Sequence, residues 1–154
     1  MSLDRAWIES RIPHRDRMCL LDSVDIWDAT RVVCCATSHR DADNPLRAHG
    51  RLGAACGIEY AAQAMAVHGA LSVHGDARPP NGYLTSVREV VLHVDRLDDV
   101  EDRLDVEAVR RSGDGNSILY QFTIRAGARE LLHGRAAVLL DAGRSSHARA
   151  EGVA

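Results

Sequence analysis

The stretch "AACGIEYAAQAMAVHGALSV", residues 54–73, decides how the rest of the chain is read. It is rich in strong helix formers and contains no proline. Its apolar residues fall on nearly every side, as in a helix buried on most of its faces. Glu59 and Gln63 are four residues apart and share one face. A lone ionised carboxylate in an apolar interior costs several kcal/mol even after relaxation. Glu59 therefore reaches a solvent-filled cleft, pairs with a cation, or has a raised pKa; the last suits a general acid or base near neutral pH. The simpler alternative puts Glu59 on the one wet edge of the helix. The Gln63 amide is placed to fix the carboxyl rotamer by a hydrogen bond.

Working outward, "HRDADNPLRAHGRLG" (39–53) has no useful periodicity and is rich in turn formers. Loops of that length are usually functional or disordered. Upstream, "MCLLDSVDIWD" (18–28) and "RVVCCATS" (31–38) predict two strands joined by a tight turn near Ala29 and Thr30. "LDRAWIESRI" predicts a short helix with Leu3, Trp7 and Ile8 on one side, stopped by Pro13. Downstream, "GDARPPNG" (75–82) breaks the chain. Strand patterns follow at 83–95, 103–112, 117–126 and 129–141, with "GDGN" (113–116) and "AGA" (126–128) as hairpin loops.

One long helix and six antiparallel strands make an α+β domain. A sheet wrapped around one apolar helix is the compact solution, and that arrangement is the hotdog fold. Residues 1–142 are expected to form this single domain, with 143–154 a flexible C-terminal tail. The open sheet edges need cover, which pairing of two copies would provide.

The chain has 154 residues, 45% of them hydrophobic and 27% charged, with a net charge of −3. That fits one soluble domain and does not suggest nucleic-acid binding. All 19 basic residues are Arg. Cys19, Cys34, Cys35 and Cys56 form no C-x-x-C pair, so reduced, mostly buried thiols in a cytoplasmic protein are expected. No secretory signal or membrane span is expected. No phosphate loop or G-x-S-x-G elbow is present. No H-x-x-x-H pair occurs, so no metal site and no cofactor are expected.

Two further features bear on chemistry. Small residues at 53–57 would let a ligand approach the helix start, where the N–H groups of Ala54, Ala55 and Cys56 are candidates to hold a carbonyl oxygen. Among eight histidines, two stand out by position: His49 in the long loop ten residues before Glu59, and His14 in "IPHR".

Together these stretches resemble the β-hydroxyacyl-acyl-carrier-protein dehydratases of the hotdog fold. "IPHRDRMCLLDSV" (12–24) is similar to that family's element before its first long strand. "GIEYAAQAM" (57–65) carries the family's helix acid and a Gln four positions later. "GYLTSVREVVLHVDRLD" (82–98) and "HGRAAVLL" (133–140) resemble later strands. "NPLRAHGRLGAACGIEYAAQAMAVHGAL" (44–71) resembles the dehydratase-like branch of aryl-polyene and related polyketide or fatty-acid clusters. The family's Gly-His-Phe-Pro-Gly stretch is absent: fourteen residues before Glu59 stands Pro45, and His49 is the candidate substitute.

The resemblance implies elimination of water from 3-hydroxyacyl thioesters on an acyl carrier protein or on CoA. His49 would be the C2 base and Glu59 would serve the leaving hydroxyl. Ala54, Ala55, Cys56 and Gln63 would line the substrate site. Arg78, Arg88, Arg110 and Arg111 are candidates for docking an acidic carrier. The implied assembly is a homodimer or larger, or a heteromer with another dehydratase subunit. Two other functions fit the same residues: an acyl thioesterase, and a non-catalytic dehydratase-like partner or acyl-binding subunit.

Overall fold

The computed structural model describes residues 2–73, 81–114 and 116–141. Its centre is the helix α2, Gly57–Leu71, entered through a 3-10 turn at Ala54–Cys56. Tyr60, Ala61, Gln63, Ala64, Met65, Val67, His68 and Ala70 are buried along it. Ahead of it come strand β1 (Leu3–Asp4), helix α1 (Arg5–Arg11), strand β2 (Ser23–Trp27) and strand β3 (Arg31–Ala36). Behind it come the long strands β4 (Asn81–Leu92), β5 (Leu104–Asp114), β6 (Ser117–Ala126) and β7 (Arg129–Asp141). They form one antiparallel sheet of order β1-β2-β3-β5-β6-β7-β4. The helix packs on β3, β5 and β6, across the middle of the sheet.

Small side chains allow that close approach. A Cβ on Gly57 would lie 2.8 Å from Leu132 Cδ2 and 3.1 Å from Ile124 Cδ1. The His68 ring enters the core with both nitrogens partnered. His68 Nε2 lies 3.1 Å from the Asp28 carbonyl and Nδ1 lies 2.8 Å from the Tyr120 hydroxyl. A carbonyl only accepts, so Nε2 carries the proton and the neutral ring accepts from Tyr120. Burial pushes the His68 pKa down and the Tyr120 pKa up to about 12.

The long loop is tied down rather than loose. The Tyr60 hydroxyl meets Ser38 Oγ at 2.8 Å and accepts from Asn44 Nδ2 at 3.0 Å. Ser38 Oγ also donates to the Leu20 carbonyl at 2.7 Å. At the far end, Leu52 is fully buried and its N–H donates to Asp98 Oδ1 at 2.9 Å.

Two expectations change. The strand expected from residue 18 begins only at Ser23. Cys19, Leu20 and Leu21 are all buried, which alternation cannot provide. The Leu20 backbone is bonded instead by the side chains of Gln63 and Ser38. The N-terminal helix starts at Arg5, capped by the Asp4 carboxylate, while Leu3 and Asp4 pair with Val24 and Ser23 as a seventh strand. The downstream hairpins close more tightly than expected, with Asp114 opposite Ser117 and Ala126 opposite Arg129. The expected tail, 143–154, lies outside the described residues. All four cysteines are free.

The contact at Gly57 yields a stability prediction. Gly57→Val should overpack the helix–sheet interface and cost about 1–3 kcal/mol, read as a lower urea midpoint at unchanged slope. An unchanged midpoint would mean that the sheet recedes freely there.

Candidate active site

Glu59 lies in the first turn of α2, with its side chain 37% exposed. Its Oε1 atom is 3.2 Å from His14 Nε2 and 3.4 Å from Gln63 Nε2. No described residue donates to Oε2. The His14 hydrogen bond holds the Glu59 pKa below the ordinary carboxylate range; burial opposes this, and Gln63 adds to the lowering. Of the possibilities open from sequence, the structure supplies a partner rather than a raised pKa. Glu59 is ionised at neutral pH.

His14 reaches this position because the chain around it is pinned. Pro13 ends α1, and the Arg15 guanidinium closes the helix by donating to the carbonyls of Glu9 and Ile12, the latter at 2.9 Å. Arg5 Nη2 donates to the Asp16 carbonyl at 2.6 Å. Gln63, fully buried, donates to the Met18 carbonyl at 2.7 Å and accepts from the Leu20 N–H at 2.9 Å. The segment 12–20 is thus fastened to α1 through Arg5 and Arg15 and to α2 through Gln63. His14 Nδ1 is buried without a hydrogen-bond partner, so Nε2 alone serves the carboxylate.

The other expected site residues spread out. His49 is exposed at the tip of a turn closed by Ala48 and Arg51, with φ of 55°, and no hydrogen bond or ion pair joins it to another described residue. Within one chain the partner of Glu59 is His14, not His49. At the helix start, the N–H of Ala54 donates to Asp95 O and that of Cys56 to Gly53 O, both at 3.0 Å. Ala55, which is exposed, has no acceptor outside its own turn, so the three expected carbonyl donors narrow to one.

The arginines form no single patch. Arg110 is opposite Tyr120, which is opposite Ala136 and then Val87. Arg88 occupies the next register position, facing Arg135, and so lies on the other face of the sheet. Arg111 is exposed at a bulge in β5 between Arg110 and Ser112. Arg78 lies outside the described residues.

Among the described residues, open cavities lie away from Glu59. One of about 390 Å³ is lined by His93, Asp95, Arg96 and Arg129, and one of about 210 Å³ lies beside Arg88 and Arg135. No helix among the described residues is long and apolar enough to cross a membrane.

A sheet wrapped around one central helix, with a half-buried acid in the first turn of that helix, defines a hotdog-fold protein. The chain belongs to the ApeP-like dehydratase family, whose ApeP dehydratase model matches residues 6–146. Among solved structures it is similar to the dehydratase heterocomplex ApeI:P from Xenorhabdus doucetiae. That match has 24% identity, a TM-score of 0.77, and covers 87% of this chain and 90% of the other. It is also similar in fold to the E. coli PaaI protein of the phenylacetic acid degradation operon, at 14% identity and TM-score 0.57, covering 75% and 80%. A thioesterase, HI1161 from Haemophilus influenzae, matches at 10% identity and TM-score 0.57, covering 77% and 76%. No curated protein matches the chain.

The His14 contact predicts a titration. Because His14 is the largest cause of the lowered pKa, His14→Ala should move the Glu59 pKa upward, measured by carboxyl-resolved NMR. A carboxylate with a depressed pKa contributes stability above its unfolded pKa, which is lost as pH falls through the folded value. His14→Ala should therefore reduce the stability gained on going from acid to neutral pH. An unmoved Glu59 pKa would refute this role for His14.

Proposed function

We propose that the protein is a dehydratase acting on 3-hydroxyacyl thioesters carried by an acyl carrier protein or CoA, in fatty-acid or polyketide-type biosynthesis. One observation carries the reading: Glu59 Oε1 is fixed by His14 and Gln63 while Oε2 is left for a ligand. Membership of a dehydratase family supports the same chemistry.

The elimination removes a proton from C2, breaks the C3–O bond, forms the C2=C3 bond and releases water. The leaving hydroxyl needs a proton. Glu59 is ionised, so the His14–Glu59 pair first takes up one proton from solvent; that proton passes from His14 along the 3.2 Å contact to Glu59 and on to the departing hydroxyl, leaving His14 neutral. The thioester carbonyl lies near the Ala55 N–H at the helix start, where negative charge developing on oxygen is stabilised. The C2 base is a second group. His49, exposed on its turn, is available to a neighbouring protomer; in a heteromer, a histidine of the other subunit takes the part.

The exposed apolar edge of β4 supports this division of labour. Tyr83 is 54% exposed and Leu84, Val91 and Leu92 are 41–45% exposed on or beside that edge strand. An apolar edge of this length calls for cover. Homodimer and heteromer are both consistent with it, and the fold neighbour from Xenorhabdus is itself a dehydratase heterocomplex.

Purified protein, alone or with another hotdog dehydratase subunit, should convert a 3-hydroxyacyl carrier protein to its trans-2-enoyl form. Glu59→Gln should lower turnover by at least about 100-fold, the lower range for a positioned acid–base group. Wild-type turnover in Glu59→Gln would remove the chain from the chemistry and favour the partner-subunit reading. Full turnover in His49→Ala would assign the C2 base elsewhere. Free-thiol release in place of enoyl product would establish a thioesterase.

A further inference from the structure

A second cluster of chemistry-bearing side chains lies away from Glu59, where the edge strand β4 runs out beside the start of β7. Glu130 Oε2 is 2.9 Å from His93 Nε2 and 2.7 Å from His133 Nδ1. One donor atom from each residue lies within 4.8 Å of the other two. The two imidazole centroids are 5.6 Å apart, and all three side chains are 35–43% exposed.

Strand pairing brings these three side chains together. Glu130 and His133 are three apart in a strand, and strict alternation would put them on opposite faces. A bulge prevents this: Ile124 pairs with Leu132 and Arg125 with Glu130, so Leu131 is the extra residue. Leu131 and Leu132 are both fully buried, and Glu130 and His133 emerge on the same side. His93 is brought alongside by its N–H, which donates to the Leu131 carbonyl at 2.8 Å, and by the pairing of Val91 with His133.

The two carboxylate oxygens of Glu130 have separate partners, the imidazoles at Oε2 and Arg125 at Oε1. Arg125 approaches the other carboxylate oxygen, Oε1, at 4.0 Å. Arg125 is itself paired with Glu107 at 3.4 Å. His93 also lines the cavity of about 390 Å³, together with Asp95, Asp99 and Arg129, which gives the site an aqueous entry.

We propose that His93 Nε2, Glu130 Oε2 and His133 Nδ1 bind one divalent transition-metal ion of the zinc class. Two imidazoles and one carboxylate suit zinc, cobalt, nickel or copper and disfavour magnesium or calcium, which prefer all-oxygen sets. Three protein ligands leave a tetrahedral ion one position for water. On binding, the ion displaces the protons now shared between the carboxylate and the imidazoles. It then fastens the end of β4 to β7.

The test uses full-length protein without a polyhistidine tag, stripped with chelator and titrated with zinc chloride near neutral pH. Calorimetry and competition with a chromophoric chelator should show a saturable site of one equivalent per chain, and the melting temperature should rise with zinc. Loss of an outer-shell partner typically weakens metal binding roughly 10–100-fold. His93→Ala, Glu130→Gln and His133→Ala each remove a direct ligand and should lose at least as much, while His14→Ala keeps the site. Circular dichroism would confirm that the variants are folded. Absence of a one-equivalent site in the wild type, or its survival in the His93→Ala/His133→Ala double variant, would overturn the proposal. Loss of the site in His14→Ala would overturn it equally.

Discussion

The buried amide of Gln63 is the contact on which the candidate site depends. It is fully inaccessible, yet it donates to Met18 O and accepts from Leu20 N. Both groups lie in a segment that makes no sheet ladder, and without Gln63 the buried Leu20 N–H would be left without a partner, at about 1–3 kcal/mol. The same amide lies 3.4 Å from Glu59. One side chain thus fixes the 12–20 segment on α2, carries His14 to the carboxylate and limits the carboxylate's rotamer. The small residues around it let the sheet close over this polar arrangement.

Much of this was legible in the sequence, for physical reasons. The central helix announces itself because its apolar residues fall on all sides, and the structure surrounds it accordingly. The Glu59–Gln63 pair follows from helical spacing alone. The strands over 103–112 and 117–126 follow from alternation, the strand expected over 83–95 ends at Leu92, and the hairpins differ from expectation in loop length. Residues 18–22 resemble a strand in sequence because three consecutive apolar side chains are buried while side-chain bonds, rather than a ladder, satisfy the backbone.

The histidine beside Glu59 was much harder to find. His14 is 45 residues from Glu59, and its placement depends on Pro13, Arg15 and the Gln63 bonds acting together. The one available signal was its place in "IPHR", inside the element that resembles the dehydratases. His49 drew attention because it is near in sequence, and sequence distance says little about a loop that turns outward. The His93–Glu130–His133 cluster was hidden by its register. Two adjacent leucines inside "ELLH" are the trace of the bulge that brings Glu130 and His133 together, and only strand pairing adds His93.

The edge strand β4 is irregular in two places, between Leu84 and Ser86 and between Arg88 and Val91. Glu89, at the second, has φ of 54° and faces Arg135 at 3.1 Å. These interruptions divide the open row of amides and carbonyls into short runs, with a charged pair between them. An arbitrary extended segment cannot form a continuous ladder on such an edge. The chain can therefore carry an exposed apolar border without inviting fibrous stacking, because only a strand with matching irregularities fits along its whole length.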